Sequence, residues 1–175
     1  MIVLLAGLPG TGKSTLGREL AARTSGRVLS KDEFRHALFL PEEIEYSSAQ
    51  DDFCLQIMLE TAGYLLRRNP GRAIFLDGRP FSRRYQIENV LAAAGALLQT
   101  WLILECVCSE ETANRRLEAD GESGRHPAGN RDFSLYLEVK ARFEAIPFPK
   151  TVIDTDQALD ACVLLALKGF NHEGH

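Results

Sequence analysis

Residues 7 to 15 read GLPGTGKST, and the stretch Gly7 to Ser14 fits the spacing G-x-x-x-x-G-K-[ST]. That spacing can hold the phosphates of a nucleotide. Gly7, Gly10 and Gly12 let the backbone bend so that its N–H groups converge on anionic oxygens. Lys13 reaches the β- and γ-phosphates as a point charge, and the Ser14 hydroxyl is placed to ligate Mg²⁺. The expected nucleotide-binding set is therefore Gly7, Leu8, Pro9, Gly10, Thr11, Gly12, Lys13, Ser14 and Thr15, with ATP as the nucleotide.

Two carboxylates stand where an acceptor would have to sit. Asp32, in LSKDEFRHAL, closes the second apolar run and opens a helical pattern. At that place it can take the proton from an attacking hydroxyl, or serve only as a helix cap. Arg35 lies one turn on, on the same face, able to grip an anionic group. Asp77, in FLDGRPFSRR, ends the third apolar run and is the second expected Mg²⁺ ligand beside Ser14. Arg79, Arg83 and Arg84 follow it. With Asp32, Arg35 and Asp77, residues Arg79 and Arg83 form the expected substrate-binding set. Either these arginines make the acceptor side cationic, for an acceptor that already carries negative charge, or they pair with the acidic stretch Glu42 to Asp52.

The elements that would carry these residues alternate. Apolar runs at 2–6, 27–30, 73–77, 101–107 and 151–153 read as buried strands. Between them, and after the last, helical patterns run over 13–24, 31–40, 48–68, 82–94, 110–119, 133–145 and 157–168. Runs apolar on both faces suit a parallel sheet covered on both sides. The expected fold is α/β: a three-layer P-loop NTPase fold with about five parallel strands. Ser109 before Glu110 and Glu111 reads as an N-cap, and Asn69-Pro70-Gly71 as a helix stop. The polar, glycine-rich stretch Asp120 to Asp132 reads as a mobile lid. Thr155 or Asp156 is expected to cap the last helix, in a region that could also line the adenine pocket.

Composition narrows the class. One domain, residues 1–175, accounts for the length, with a lid region near 115–132. The net charge of −4 argues against a domain that coats nucleic acid non-specifically. The apolar run 2–6 is too short for a leader peptide, and no run spans a membrane, so the expected compartment is the cytoplasm. Cys54, Cys106, Cys108 and Cys162 form no C-x-x-C pair and read as reduced core thiols. His172 and His175 read as part of a frayed end. Asp77 is followed by Gly78, Arg79 and Pro80, so the D-x-x-G of a GTPase is missing, as is [NT]-K-x-D. A remodelling ATPase would need more chain, which points to a kinase.

GLPGTGKST combined with SKDEFR at the second strand resembles the P-loop kinases that include polynucleotide 5′-kinase domains. It is similar also to the AAA-type bacterial kinases, among which are antibiotic phosphotransferases. Asp32, Arg35 and Leu38 further resemble the D-x-x-R-x-x-L of adenylylsulfate kinase, although RPFSRR only loosely echoes that family's S-P-[YF]-R. The resemblance implies that Asp32 is the general base and Arg35 part of the acceptor pocket. It implies lid arginines as well: Arg116 and Arg125 first, Arg131 next, with Arg115 on the surface or stacked on adenine. Lys13, Asp32, Arg116 and Arg125 are then the expected catalytic residues. The activity implied is ATP- and Mg²⁺-dependent phosphoryl transfer to a hydroxyl of a small acceptor. A polynucleotide 5′ end, adenylylsulfate and a non-catalytic ATP-binding module stay open as alternatives.

Overall fold

The computed structural model describes residues 1–123 and 132–171 of the chain. In chain order the elements are β1 (Ile2–Ala6), α1 (Lys13–Thr24), β2 (Arg27–Ser30), α2 (Lys31–Leu38) and α3 (Ser48–Arg68). They continue with β3 (Ile74–Asp77), α4 (Arg84–Ala96), β4 (Trp101–Val107), α5 (Glu110–Ser123), α6 (Phe133–Ala141), β5 (Thr151–Asp154) and α7 (Leu159–Asn171). One 3₁₀ turn, Pro41–Glu43, sits between α2 and α3.

The five strands run parallel in the order β2-β3-β1-β4-β5. β1 is central, and its alternating residues feed two cores. Ile2, Leu4 and Ala6 pack with Leu55, Met58 and Ala62 of α3 and Ile87 and Val90 of α4. Val3 and Leu5 pack on the other face with Leu16 and Leu20 of α1 and Val163 and Ala166 of α7. A sheet buried on both sides explains why these strands read as unbroken apolar runs. The register pairs Ser30 with Asp77, so the ends of β2 and β3 lie side by side. The glycine loop, Asp32 and Asp77 leave the sheet at this carboxyl edge, where open α/β sheets bind ligands.

Several helix ends differ from expectation. α2 stops at Leu38 because Leu40, ahead of Pro41, must be extended (φ −68°, ψ 156°). α6 stops at Ala141 because the backbone N–H of Glu144 donates to the Ser82 carbonyl (2.9 Å) and so leaves the helical ladder. α4 starts at Arg84, after Phe81 takes a left-handed φ of 52°. Ser109 caps α5 as expected, accepting from the Thr112 N–H, and α3 ends at Arg68 before Asn69. Arg125, Arg131, His172 and His175 lie outside the described residues. Among the described residues no helix is long and apolar enough to cross a membrane.

Cys54, Cys106 and Cys162 are buried, while Cys108 is half-buried at the end of β4. Burial pushes the Cys106 thiol from 9.0 up to about 12. The unfolded chain releases that proton near the ordinary value and the folded chain holds it. Stability from this group is therefore complete below about pH 9 and is lost as pH rises toward 12. Between pH 9 and 10 the native protein is expected to lose about 1 kcal/mol more than Cys106→Ala. Urea denaturation of both proteins at the two pH values checks this; equal losses would refute it.

Candidate active site

The loop between β1 and α1 is built around its glycines. Gly7, at φ 132°, passes so close to β4 that a Cβ would lie 2.3 Å from the Cys106 carbonyl oxygen. Gly12, at φ 79°, opens α1 with no side-chain cap and no acid in the first turn. The first-turn N–H groups of α1 are thus turned to the loop's hollow without a carboxylate to compete for them, which is an anion site in outline. Lys13 is buried, and its Nζ donates to the carbonyls of Gly7 (2.9 Å) and Leu8 (2.6 Å) and approaches Thr11 Oγ1 (3.4 Å). A phosphate oxygen arriving in the hollow meets an ammonium already held in place.

On the acceptor side, the cap of α2 is Ser30, whose hydroxyl accepts from the Glu33 N–H. Asp32 is therefore free of the capping role that sequence left open for it. It is buried and accepts from Arg35 Nη1 (3.0 Å), with Lys31 Nζ at 3.6 Å. Arg35 does not stand free. Its Nη2 pairs with Asp51 of α3 and its guanidinium lies 5.0 Å from the centre of the Tyr46 ring. Lys31 also reaches Asp51 (2.8 Å). Arg79 pairs with Asp52 (2.6 Å). Of the two readings of the arginines, Arg35 and Arg79 follow the pairing with the acidic stretch. Arg83 pairs instead with Glu144 (2.9 Å) and Arg84 with Glu88 (2.6 Å).

A cavity of about 240 Å³ joins the two halves, lined by Lys13 and Ser14 on one side and by Asp32, Arg35, Asp77 and Arg79 on the other, and a second hollow of about 590 Å³ also touches Ser14, Asp32 and Asp77. Gly78, at φ 89°, lets the turn after β3 press against the backbone of Lys31 and Asp32, where a Cβ would meet atoms at 3.1–3.3 Å. That contact brings Asp77 and Asp32 to neighbouring positions. Asp77 is buried, and its Oδ1 has no hydrogen-bond partner. An orphaned carboxylate oxygen beside the Ser14 hydroxyl fits a Mg²⁺ site of hydroxyl, carboxylate, waters and substrate phosphates. No group of three His, Cys, Asp or Glu side chains among the described residues forms a cation cage, and Mg²⁺ held in this way needs none.

The other side of the loop belongs to Arg116. Its Nη1 donates to Thr155 Oγ1 (3.0 Å) and reaches the Gly10 carbonyl (3.4 Å), and its Nη2 donates to the Thr155 carbonyl (2.8 Å). Thr155 Oγ1 in turn donates to the Thr11 carbonyl (3.0 Å). The expectation that Thr155 or Asp156 caps α7 is corrected by these bonds. Thr155 is committed to the phosphate loop, and the Asp156 carboxylate accepts from the Ser109 N–H (2.8 Å) at the start of α5. The Asp156 carboxyl is held below its ordinary range chiefly by that N–H, with the Thr112 side chain second. Arg115 lies on the outside and approaches Thr112 Oγ1 at 3.5 Å. Arg116, Thr155 and Gln157 line a second hollow with Gly10 and Gly12, on the nucleotide side of the loop.

Asp51, Asp52, Lys31 and Tyr46 were not singled out in the sequence, apart from the acidic stretch that includes the two aspartates. Nor was α6, whose Leu135 and Val139 enter the cavity wall. Tyr46 carries a left-handed φ of 51°, as Ser25, Phe81 and Leu98 also do at 51–53°.

Comparison with known proteins agrees with this architecture. The chain aligns end to end with three crystal structures, each under 25% identical. A kinase candidate of Chloroflexus aurantiacus is 22% identical, covers 96% of this chain and 97% of its own, with TM-score 0.72. An APS kinase of Mycobacterium tuberculosis, solved with AMPPNP and APS, is 16% identical over 97% and 96%, with TM-score 0.72. A gluconokinase of Sinorhizobium meliloti is 19% identical over 98% and 91%, with TM-score 0.67. No curated protein sequence matches the chain significantly. The model of the AAA domain family matches residues 2–146, from the first strand to the connector after α6. The chain belongs to the AAA domain family, with a phosphate-binding loop on a five-stranded parallel sheet.

Proposed function

We propose that the protein is an ATP- and Mg²⁺-dependent kinase that moves the γ-phosphoryl group to a hydroxyl of a small acceptor. The observation that carries this is the shared cavity, in which Lys13 and Ser14 face Asp32, Asp77 and Arg79 across one space. A pure nucleotide-binding module has no need of a second half with a buried carboxylate. The kinase names of the APS kinase and gluconokinase neighbours support the same reading.

Each residue has a role in it. The loop N–H groups and Lys13 hold the nucleotide phosphates. Ser14 and Asp77 hold Mg²⁺, which when bound offsets charge on the phosphates. Asp32 accepts the proton of the attacking hydroxyl. Arg35 fixes Asp32, and Arg79 and Arg83 form the acceptor wall. Arg116 secures the nucleotide side, and Arg125 stays the candidate for covering the transferred group. The reading takes residues 1–175 as one catalytic domain of the cytoplasm. The hollow that reaches Arg35 and Arg79 holds about 240 Å³, below the roughly 300–1,000 Å³ of drug-sized sites, and with the net charge of −4 this favours a compact acceptor over a polynucleotide end.

The direct test is ATP consumption over a panel of hydroxyl acceptors that includes nucleosides, adenylylsulfate, sugars, aminoglycosides and 5′-OH oligonucleotides. Asp32→Asn is expected to bind ATP as the wild type does and to lose transfer by at least about a hundredfold. Equal inactivity of wild type and variant across the panel would favour the binding module instead. Arg116→Ala is expected to weaken ATP binding about tenfold by calorimetry, since it removes the guanidinium that bridges Thr155 and the Gly10 carbonyl. Unchanged affinity would remove Arg116 from the nucleotide site.

A further inference from the structure

The acceptor half is balanced in charge. Lys31 and Arg35 share Asp32 and Asp51, all four lining the cavity, and Arg79 is matched by Asp52. Arg83 is matched by Glu144, and Arg142, on the exposed rim, is offset in sum by the buried Asp77. An arriving carboxylate or phosphate would add an uncompensated negative charge to a buried, neutral wall, and it would face Asp32 and Asp51 directly.

The wall also has polar atoms to fill. Arg35 Nε and Arg79 Nε and Nη1 are buried donors with no hydrogen-bond partner. The carboxylates of Asp32 and Asp51 are acceptors only. A ligand matching both must donate and accept at neighbouring points without net charge. Hydroxyl groups do this, since each carries one O–H donor and two lone pairs. Of the two hollows that touch Asp32, the one lined by Arg35, Asp51 and Arg79 holds about 240 Å³ and must also admit the phosphoryl group, so the hydroxyls that meet these residues belong on a compact frame.

We propose that the acceptor is an uncharged, compact polyhydroxyl compound, of monosaccharide or polyol type, and that Asp51 and Asp52 set this preference by neutralising Arg35 and Arg79. The proposal rests on the kinase reading for the site's purpose, and of the two readings that the sequence leaves open for the arginines it follows the pairing with the acidic stretch.

The test is calorimetric binding to the full chain in the presence of Mg²⁺ and a non-hydrolysable ATP analogue. The probes are neutral aldoses, polyols and nucleosides, each beside its carboxylated or phosphorylated counterpart. At least one neutral probe is expected to bind about tenfold more tightly than its counterpart. Its affinity should vary less than about twofold between low and high salt. Tighter binding of the charged counterparts, or no binding by any neutral probe, overturns the proposal. Asp52→Asn is expected to shift the preference toward the charged counterpart by about tenfold, and Asp52→Glu to retain the original order. An Asp52→Asn protein that folds, by circular dichroism, and keeps the wild-type preference would overturn the assignment of specificity to Asp52. A neutral probe that binds but is never phosphorylated with ATP would refute the kinase reading and leave the acceptor chemistry standing.

Discussion

Four charges share the space between α2 and α3 with little water to help them. Lys31 and Asp32 are each 8% exposed at the side chain, Arg35 1% and Asp51 20%. None of them can be removed singly without leaving a buried charge unmatched, at a cost of about 3–5 kcal/mol. The arrangement therefore links α3 to α2 through paired charges. It also decides where Asp32 points. Arg35 holds Asp32, Asp51 holds Arg35, and Tyr46 closes over the guanidinium from the loop between the helices. On the far side Gly78 presses the end of β3 against the same first turn. The proposed base is placed from three directions, and none of the three involves the nucleotide.

The donor half is organised in the opposite way. Its helix start is uncapped, and its lysine rests on backbone carbonyls that a phosphate oxygen can replace. Where the acceptor half pairs its charges internally, the donor half keeps its N–H groups uncapped at the helix start. In the proposed reaction, this difference follows from what each half has to do. Phosphates bring enough charge to reward an open cradle. A small acceptor does not, and a wall whose charges are already matched binds it by shape and by the few donors left over.

How much of this could be read in the chain depended on sequence distance. GLPGTGKST keeps motif, strand and helix within a few residues, so loop, lysine and hydroxyl fell where expected. Strands were equally legible, since burial on both faces leaves unbroken apolar runs such as IVLLA. The partners of the arginines were not. Asp51 lies 16 residues beyond Arg35 and Asp52 lies 27 before Arg79, and only the packing of α3 over the sheet edge brings them together. Thr155 looked like a helix cap because a hydroxyl before a helix usually is one. Its actual bonds go to Thr11 and Arg116, residues 144 and 39 positions away. The end of α6 was misjudged for a related reason: helical propensity continues, but the Glu144 N–H is taken by Ser82.

One continuous segment serves both halves. α5 sends Arg116 to the phosphate loop, α6 sends Leu135 and Val139 into the acceptor wall, and Glu144 fastens the next connector to the start of α4 through Arg83 and the Arg84 N–H. The Glu144 carboxyl is lowered below its ordinary value by that N–H first and by Arg83 second. Strand ends and the glycine loop are held by backbone register, which tolerates wide change in side chains. The acceptor wall is drawn instead from α2, α3, α4 and α6, where a substitution alters what binds without altering the sheet. Solved structures with this fold at 14–22% identity include kinases named for APS and for gluconate. Such a range is what a rigid sheet edge and a wall of exchangeable side chains allow.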